Sequence, residues 1–376
     1  MKRRFAVTVC FGVLLAAFES RLFPQMKSFE AIFAESVQAM GGEKELRKIQ
    51  SLTALANCNG PRGKYATEIY SQLGGRLSFK QTWPTGRVFH GFVNGVYAWM
   101  RDQAGQVSQL DKASATAIRS HEFQMLAMTL PERYQNPVVE GEEDFAGSRC
   151  VKIRAVDELG EPCQIFFNTD SRLLNGLMIA DTRSDSGEMV RVVFNEWKKA
   201  GKVMLPSKVT ATDKSGDWVL AFHDLKLNAV DEKIFAVPPS IAAVKELMLL
   251  QQQERMAHFD KDAKLLVSTF AENFINVSAG KINRPTREES ISRLQAYFDR
   301  SEFLEWDDIS PPVIRVSQDA SMAYVLVHKR VRLKAKNAKG DLEEETTIFA
   351  WMETYEKQNG NWALTAVTST RAQAAE

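Results

Sequence analysis

Residues 67–93 read TEIYSQLGGRLSFKQTWPTGRVFHGFV, and this stretch decides the fold of the first half of the chain. Its apolar residues alternate in three short runs, Thr67–Leu73, Arg76–Trp83 and Arg87–Val93, which are separated by Gly74-Gly75 and Pro84-Thr85-Gly86. A period of two residues is typical of a half-buried strand, and glycine and proline are typical of the turns between strands. The stretch therefore predicts consecutive antiparallel strands joined by short turns.

The strand pattern continues well beyond this stretch, whereas helical spacing is rare. Six further strand-like runs are Cys150–Val156, Pro162–Asn168, Leu173–Asp181, Val190–Lys198, Val203–Thr212 and Asp217–His223. In this half of the chain, helical spacing is confined to Ser28–Met40 and about Ala113–Leu130, before Pro131. Because two helices can cover only one face of so large a sheet, we predict a curved, half-open antiparallel sheet.

The last third of the chain predicts a second unit made of helices and strands. Apolar residues recur every three or four positions from Phe259 to Val277, which predicts one long helix. Thr286 and Glu289 have the spacing of a capping box that opens a second helix. Four strand-like runs follow: Val313–Ser317, Met322–Lys336, Glu343–Lys357 and Asn361–Thr370. Strands this long must twist and curl around the helices, which predicts a cone.

The predicted organisation is α+β with four segments. Residues 1–25 form a signal peptide or N-terminal anchor, and residues 26–240 form the half-barrel domain. Pro238-Pro239 ends that domain, residues 241–256 form a helical linker, and residues 257–372 form the cone domain.

The N-terminus has the pattern of a targeting segment. Lys2, Arg3 and Arg4 precede the uncharged apolar stretch Phe5–Phe18, which has the length of a signal-peptide core and is too short to span a bilayer. We therefore predict an exported protein, periplasmic or secreted. No small-x-small cleavage pattern follows the stretch, so an uncleaved membrane anchor is the alternative.

Charge and motif content exclude several classes of function. Lys+Arg (48) and Asp+Glu (47) nearly cancel, so no global field favours nucleic acid, and we predict no nucleic-acid partner. No phosphate-binding glycine loop, zinc helix or nucleophile elbow is present. The five histidines are scattered without ligand spacing, so we predict neither a metal site nor a cofactor.

Three cysteines follow Cys10, namely Cys58, Cys150 and Cys163. A disulfide from Cys58 to one of the other two is one interpretation for an oxidising compartment. Buried thiols that form no disulfide are the other.

Four sequence segments make residues 27–240 resemble LolA-like proteins, which are exported carriers of lipoproteins. They are Met40-Gly41-Gly42, Val193-Phe194-Asn195-Glu196-Trp197, Gly201-Lys202-Val203-Met204-Leu205-Pro206 and Ile234-Phe235-Ala236-Val237-Pro238. The resemblance implies a half-barrel whose apolar concave face holds acyl chains under helical lids. Candidate ligand-binding residues are Phe89, Phe92, Trp99, Phe166, Phe167, Phe194 and Trp197. Alternating aromatic residues are equally typical of the packed inner layer of a sheet.

Residues 257–372 resemble the SnoaL-like, nuclear transport factor two-like superfamily. Asp319-Ala320-Ser321-Met322-Ala323 and Gly360-Asn361-Trp362 carry this resemblance, together with the order of helices and long strands. The superfamily includes isomerases, cyclases, hydrolases and members without catalysis, so the fold does not define a function. Its enzymes hold a carboxylate in an apolar cavity, and the candidate catalytic residues are Asp307, Asp308, Tyr297 and His328. Acidic residues just before Pro311-Pro312 are also typical of a turn.

The sequence leaves three functional hypotheses. The first is an exported, non-catalytic protein that binds an apolar small molecule, a lipid or a lipidated protein. The second is a small-molecule enzyme, an isomerase or a hydrolase, that uses an acidic residue in the cone. The third is a homodimer formed through the C-terminal sheet, because Ile348, Ala350 and Met352 alternate with Phe349 and Trp351 and leave both faces partly apolar.

Overall fold

The computed structural model describes residues 27–181, 187–336 and 341–373. The basic and apolar N-terminal segment, predicted to be a signal peptide or an anchor, lies outside the described residues. The described part of the chain combines helices with two large, curved and open sheets, whose strands pair antiparallel except for one parallel pair in the second sheet.

Within the described residues the first sheet contains thirteen strands, arranged as two antiparallel meanders, β1–β6 and β7–β13, that join where β1 pairs with β13. The strands are β1 (Ser51–Gly60), β2 (Gly63–Gln72), β3 (Arg76–Thr82), β4 (Val88–Asn94), β5 (Tyr97–Arg101), β6 (Val107–Gln109), β7 (Gln135–Phe145), β8 (Ser148–Val156), β9 (Pro162–Asn168), β10 (Leu174–Ala180), β11 (Met189–Ala200), β12 (Val203–Asp213) and β13 (Gly216–Leu227). Their order across the sheet is β6-β5-β4-β3-β2-β1-β13-β12-β11-β10-β9-β8-β7. Strands β6 and β7 form the two edges and do not pair with each other, so the sheet remains open.

Four helices accompany this sheet, and they lie on one of its faces. They are α1 (Phe29–Ala39), the single turn α2 (Glu43–Leu46), α3 (Lys112–Arg119) and α4 (Phe123–Arg133). The helix-covered face carries the larger core, in which Ile32, Ile118 and Phe123 of the helices pack against strand residues such as Ile69 and Leu205. Alternation within each strand therefore separates a core face from an opposite face.

The helix predicted for Ala113–Leu130 is divided into two. Asp111 caps α3 by accepting a hydrogen bond from the Ser114 backbone, and α3 ends before Glu122. Pro131 lies inside α4, where Thr129 leaves helical geometry with φ −121°. The Thr129 hydroxyl donates to the Met125 carbonyl, which keeps this distorted turn hydrogen-bonded.

The second sheet contains six strands and follows a long helix. The elements are α5 (Pro239–Phe259), α6 (Ala263–Val267), β14 (Phe270–Ser278), β15 (Lys281–Asn283), α7 (Arg287–Asp299), β16 (Ser301–Val316), β17 (Met322–Lys336), β18 (Leu342–Gln358) and β19 (Asn361–Gln373). The strand order is β15-β14-β19-β18-β17-β16. The predicted capping box is present, since Thr286 and Glu289 exchange hydrogen bonds at the start of α7.

The prediction of one long helix from Phe259 to Val277 is wrong. Helix α5 ends at Phe259, Lys261 adopts φ +56°, and Phe270–Ser278 is a strand paired in parallel with β19. Between Phe270 and Ile275 the register shifts, so that an advance of five residues along β14 corresponds to an advance of two residues along β19. This irregularity gives the strand an apolar spacing that resembles a helical one.

Strand β16 is longer than its sequence indicates. It runs through Asp307 and Asp308, and its pairing with β17 shifts between Ser310 and Val313, at the two prolines. Because β16 is an edge strand, a residue without a backbone N–H is tolerated there. The two aspartates therefore lie in a strand and not in a turn.

Helix α5 joins the two parts of the molecule. Near its start, Ile241 packs against Phe92 and Trp99 on the face of the first sheet that lies opposite the helices. Further along, Ala243, Leu247 and Ala257 belong to the core of the second sheet. The segment 241–256 is thus continuous helix that contributes to both hydrophobic clusters.

The three cysteines of the described chain are buried thiols, and the disulfide interpretation is wrong. Cys150 faces Asn168 and Cys163 faces Ala155 in the pairing of β8 with β9, so the two thiols are not opposite each other. None of the helices in the described ranges has the length and apolar character needed to cross a bilayer.

Candidate functional site

A cavity of about 800 Å³ lies between helices α3 and α4 and the first sheet. Its inner wall is largely apolar, and the residues that form it include Phe79, Phe89, Met100, Ile118, Phe123, Val192 and Leu220. The volume lies within the range of small-molecule sites, roughly 300–1,000 Å³. The cavity exists because the helices cover the curved sheet without filling it.

One end of the cavity is charged. The residues that line it there come from turns β1–β2, β3–β4 and β8–β9 and from the ends of β10 and β12, and they are Arg62, Arg87, Asp157, Glu158, Asp181 and Asp213. Where neighbouring antiparallel strands are joined by short turns, every second turn lies at the same end of the strands. These positions therefore lie together at one end of the strands of the sheet. We call this end the mouth of the cavity.

A buried ion-pair network holds the helices to the mouth. Glu122, between α3 and α4, is 2% exposed and lies 3.4 Å from the Arg133 guanidinium and 3.6 Å from that of Arg119. Arg119 also pairs with Glu158 of the β8–β9 turn at 2.9 Å. Burial raises the pKa of Glu122, and the two arginines oppose that rise. The network joins both helices to the opposite wall of the cavity.

Of the aromatic residues predicted to bind a ligand, Phe89 lines the cavity. Phe194 and Trp197 lie on the helix-covered side but belong to the packed core, where Phe194 contacts Phe123 with ring centres 6.1 Å apart. Phe167 is also a core residue on that side.

Phe92, Trp99 and Phe166 lie in two smaller clusters outside this core. Phe92 stacks on Trp99 at 5.1 Å beneath α5, and Phe166 stacks on Phe145 at 3.9 Å. Phe89 and Phe92 are three residues apart on one strand, so they point to opposite faces. Counting alternate positions along β4 therefore places Phe89 on the cavity face of the sheet and Phe92 on the opposite face.

A second candidate site lies in the core of the second sheet, around the buried carboxyl group of Glu353. Trp351 Nε1 donates to Glu353 Oε1 at 2.7 Å, and the Tyr355 hydroxyl donates to Oε2 at 2.9 Å. Gln251 Nε2 of α5 donates to the same Oε2, and the carboxyl group of Glu254 shares a hydrogen bond with Glu353. Two acidic side chains therefore meet inside an aromatic core.

Burial raises the pKa of both Glu254 and Glu353. The neighbouring charge of Glu353 raises the pKa of Glu254 further, and Lys329 opposes this effect. Lys329 is itself 4% exposed and pairs with Asp308. The pair is arranged to hold a proton between two carboxyl groups.

The four residues predicted to be catalytic lie in different environments. Asp308 is half-buried beside Lys329, at the edge of this polar cluster, whereas Asp307 is exposed and pairs with Arg255 at 3.3 Å. Tyr297 packs edge-on against Phe303, and burial raises its pKa to about 12. His328 is exposed on the outer face of β17, because Val327 and Lys329 point inward.

Sequence reasoning missed Glu254 and Glu353. On β18 the inward positions are Trp351, Glu353 and Tyr355, so an acidic residue on an otherwise aromatic face was the available signal. On α5, Gln251, Glu254 and His258 lie at helical spacing on one face. His258 stacks on Trp306 at 3.7 Å, and burial lowers its pKa to about 4.

Within residues 27–181, 187–336 and 341–373 no group of three or more His, Cys, Asp or Glu side chains is placed to hold a metal ion.

No protein-family model and no curated protein matches the chain. Solved structures similar to its N-terminal part include a LolA superfamily protein from Nitrosomonas europaea, with 15% identity, 56% of this chain and 99% of that chain covered, and a TM-score of 0.42. A DUF1329 family protein from Desulfovibrio piger is similar at 12% identity, 56% and 98% coverage, and a TM-score of 0.42. An NTF2-like protein from Cytophaga hutchinsonii is similar to the C-terminal part, with 15% identity, 34% and 98% coverage, and a TM-score of 0.28. Both resemblances noted in the sequence are thus found among solved structures.

Proposed function

We propose that this protein binds an apolar or amphiphilic ligand, a lipid or the lipid chain of a lipoprotein, in the cavity of an N-terminal half-barrel. The observation that carries the proposal is the 800 Å³ cavity with an apolar inner wall beneath α3 and α4. Burial of a methylene group contributes about 0.8 kcal/mol, so ten buried methylenes contribute about 8 kcal/mol before the cost of ordering the chain. That free energy is sufficient for specific binding without a covalent step.

Helices α3 and α4 act as the cover of this site. Ile118 and Phe123 contact the cavity from the two helices, and the Glu122 network fixes the segment between them to the mouth. A ligand chain enters between the helices and the sheet and displaces water from apolar walls.

We expect Ala117→Trp to weaken the binding of a fluorescent C16 fatty acid at least about tenfold, because Ala117 lines the cavity and an indole ring occupies the space of the chain. Fluorescence titration of the purified full chain measures the affinity. Ala372→Trp, at an exposed position of β19, is the matched control and leaves the affinity unchanged. Equal affinity in both variants, or no binding by the unmodified protein, contradicts the proposal.

We further propose that the protein is exported to the periplasm or secreted, with residues 1–25 as its signal peptide. Lys2, Arg3, Arg4 and the apolar stretch Phe5–Phe18 support this proposal. After expression in a bacterium, we expect the protein in the periplasmic fraction with a mass that lacks Phe5–Phe18. A membrane-bound chain that retains Met1 supports the anchor alternative, and a cytosolic chain that retains Met1 contradicts export.

A second candidate function is proton transfer in the C-terminal cone, as in a small-molecule isomerase or hydrolase. The specific observation that favours it is the pair of Glu254 and Glu353, whose pKa values are raised by burial. A carboxyl group with a raised pKa can donate or accept a proton near neutral pH. The proposed acid–base residues are therefore these two glutamates, with Asp308 and Lys329 at the edge of the site.

We expect the stability of the C-terminal part to fall as the pH rises above about 4.5 towards the raised pKa of the Glu254–Glu353 pair. The folded state keeps a proton on the Glu254–Glu353 pair that the unfolded state releases near pH 4.5, so the stabilisation is complete below that pH and is lost as the pH rises through the raised pKa. The slope approaches about 1.4 kcal/mol per pH unit for one proton. Urea unfolding monitored by tryptophan fluorescence measures it.

Glu254→Gln removes one of the two titrating groups, and we expect this variant to have a smaller slope than the unmodified protein. Glu272→Gln, at an exposed position of β14, retains the full slope. Burial also raises the pKa of Glu122, but Glu122 is present in all three proteins. The difference in slope between the two variants therefore comes from the Glu254–Glu353 pair. Identical slopes in all three proteins contradict both the shared proton and the acid–base candidate.

We also propose that the outer face of the C-terminal sheet pairs with a second copy of the chain. Leu326 lies directly opposite Val313 on one side and Met352 on the other, and all three are about 40% exposed. An exposed apolar row of this kind is typical of an interface. We expect light scattering to give twice the mass of one chain, and Leu326→Asp to give a single-chain mass. Val96→Asp, at a 75% exposed position elsewhere, is the control; a single-chain mass for the unmodified protein contradicts the dimer.

A further inference from the structure

Two arginines stand at the mouth of the cavity without an acidic partner. Arg62 lies in the β1–β2 turn and Arg87 lies just before β4, and both are exposed and line the cavity. No carboxylate of the described chain lies within ion-pair distance of either guanidinium, in contrast to Arg119 and Arg133 deeper in the mouth. Their charges are therefore available to a ligand.

Aromatic rings hold both arginines in place. The Arg87 guanidinium lies 5.4 Å from the centre of the Trp83 ring, and that of Arg62 lies 5.8 Å from the centre of the Trp218 ring. Tyr65 lies between the two indoles, stacked on Trp83 at 5.5 Å and edge-on to Trp218 at 6.2 Å. These five residues form a continuous row, which we call the arginine–aromatic row. Stacking orders the guanidinium groups while their N–H groups stay free to donate.

The chain backbone makes room for this row. A Cβ atom at Gly60 would lie 2.3 Å from the Trp218 ring, so the indole can lie flat against β1 only because residue 60 is glycine. Trp218 Nε1 is buried and has no hydrogen-bond partner.

The acidic groups of the mouth are already engaged. Asp157 accepts backbone hydrogen bonds from Leu159 and Glu161 within its own turn, and Glu158 pairs with Arg119 and Arg133. Asp213 accepts from the Ser215 backbone. These carboxylates and that of Asp181 keep their negative charge and come from β8–β12, whereas Arg62 and Arg87 lie on the side of β1–β4, where no carboxylate of the described chain forms an ion pair with them.

We propose that the arginine–aromatic row binds the anionic headgroup, a carboxylate or a phosphate, of a single-chain amphiphile whose apolar chain occupies the cavity. This inference rests on the proposed function and specifies its ligand class. Guanidinium groups match the planar or tetrahedral oxygens of such headgroups, and each guanidinium presents several N–H donors. The apolar wall and the arginine–aromatic row then recognise the two ends of one molecule.

The test compares ligands that share a C16 chain and differ in the headgroup. Hexadecanoate, hexadecyl phosphate, hexadecanol and hexadecyltrimethylammonium are titrated against the purified full chain by isothermal calorimetry below their micellar concentrations. We expect both anions to bind at least about tenfold more tightly than hexadecanol, and the cation to bind more weakly than hexadecanol. Equal affinity for the acid and the alcohol overturns the headgroup assignment while leaving the cavity proposal intact; binding of none of the four overturns both.

Two double variants test whether the headgroup preference depends on the arginine–aromatic row. Arg62→Gln/Arg87→Gln should reduce the ratio of hexadecanoate to hexadecanol affinity to about one. Arg284→Gln/Arg293→Gln removes two exposed arginines elsewhere, keeps the same net charge as the first variant, and should retain the full ratio. The same ratio in both double variants overturns the assignment.

Free anions form the last arm of the experiment. Inorganic phosphate and acetate at millimolar concentration should not displace hexadecanoate, because the row without the buried chain offers only a solvent-exposed ion contact. Displacement by inorganic phosphate as effective as that by hexadecyl phosphate overturns the amphiphile and identifies the row as a site for the free anion.

Discussion

The structure depends on a mismatch between the width of the first sheet and the size of the helices that cover it. Thirteen strands spaced about 4.8 Å apart span roughly 60 Å along the sheet, whereas each helix covers about 10 Å. The sheet therefore curves to bury its apolar face, and Ile118, Phe123 and the aromatic residues of the strands meet around a space that they do not fill. The cavity follows from this geometry and does not require a specialised motif.

Buried carboxyl groups have different neighbours in the two halves of the molecule. Glu122 is buried between two arginines, so its carboxylate is compensated and joins helices to sheet. Glu254 and Glu353 are buried against each other, and the amide of Gln251, the indole of Trp351 and the hydroxyl of Tyr355 supply neutral donors. A compensated carboxylate serves as a fixed structural contact, whereas two adjacent carboxyl groups retain a proton that can be exchanged. This contrast separates a structural ion pair from a candidate acid–base site.

Helix α5 contacts hydrophobic clusters of both sheets. Its first turn contacts Phe92 and Trp99 on the back of β4 and β5, and the same two strands contribute Phe89 and Met100 to the cavity wall. Ten residues further along, Gln251 contacts Glu353 in the second core. A single rigid element therefore touches the back of one candidate site and the interior of the other.

The amino-acid sequence by itself determined most of the strands, the position of α1 and the capping box at Thr286, because alternation and turn residues act locally. It was misleading over Phe259–Val277, where an irregular pairing with β19 gives a strand the apolar spacing of a helix. It grouped Phe89, which lines the cavity, with Phe92, Trp99 and Phe166, which lie in clusters outside the main core because the face of a strand residue depends on register.

Only the tertiary structure decided which distant side chains meet. Glu254 and Glu353 are 99 positions apart in the sequence, and Arg62 becomes a neighbour of Trp218 only when β1 and β13 pair in the sheet. The local sequence pattern indicates the period of a strand or a helix. The burial of a side chain depends on which residues from elsewhere in the chain pack against that side chain. Burial in turn sets the pKa of a carboxyl group and decides whether an arginine is available to a ligand.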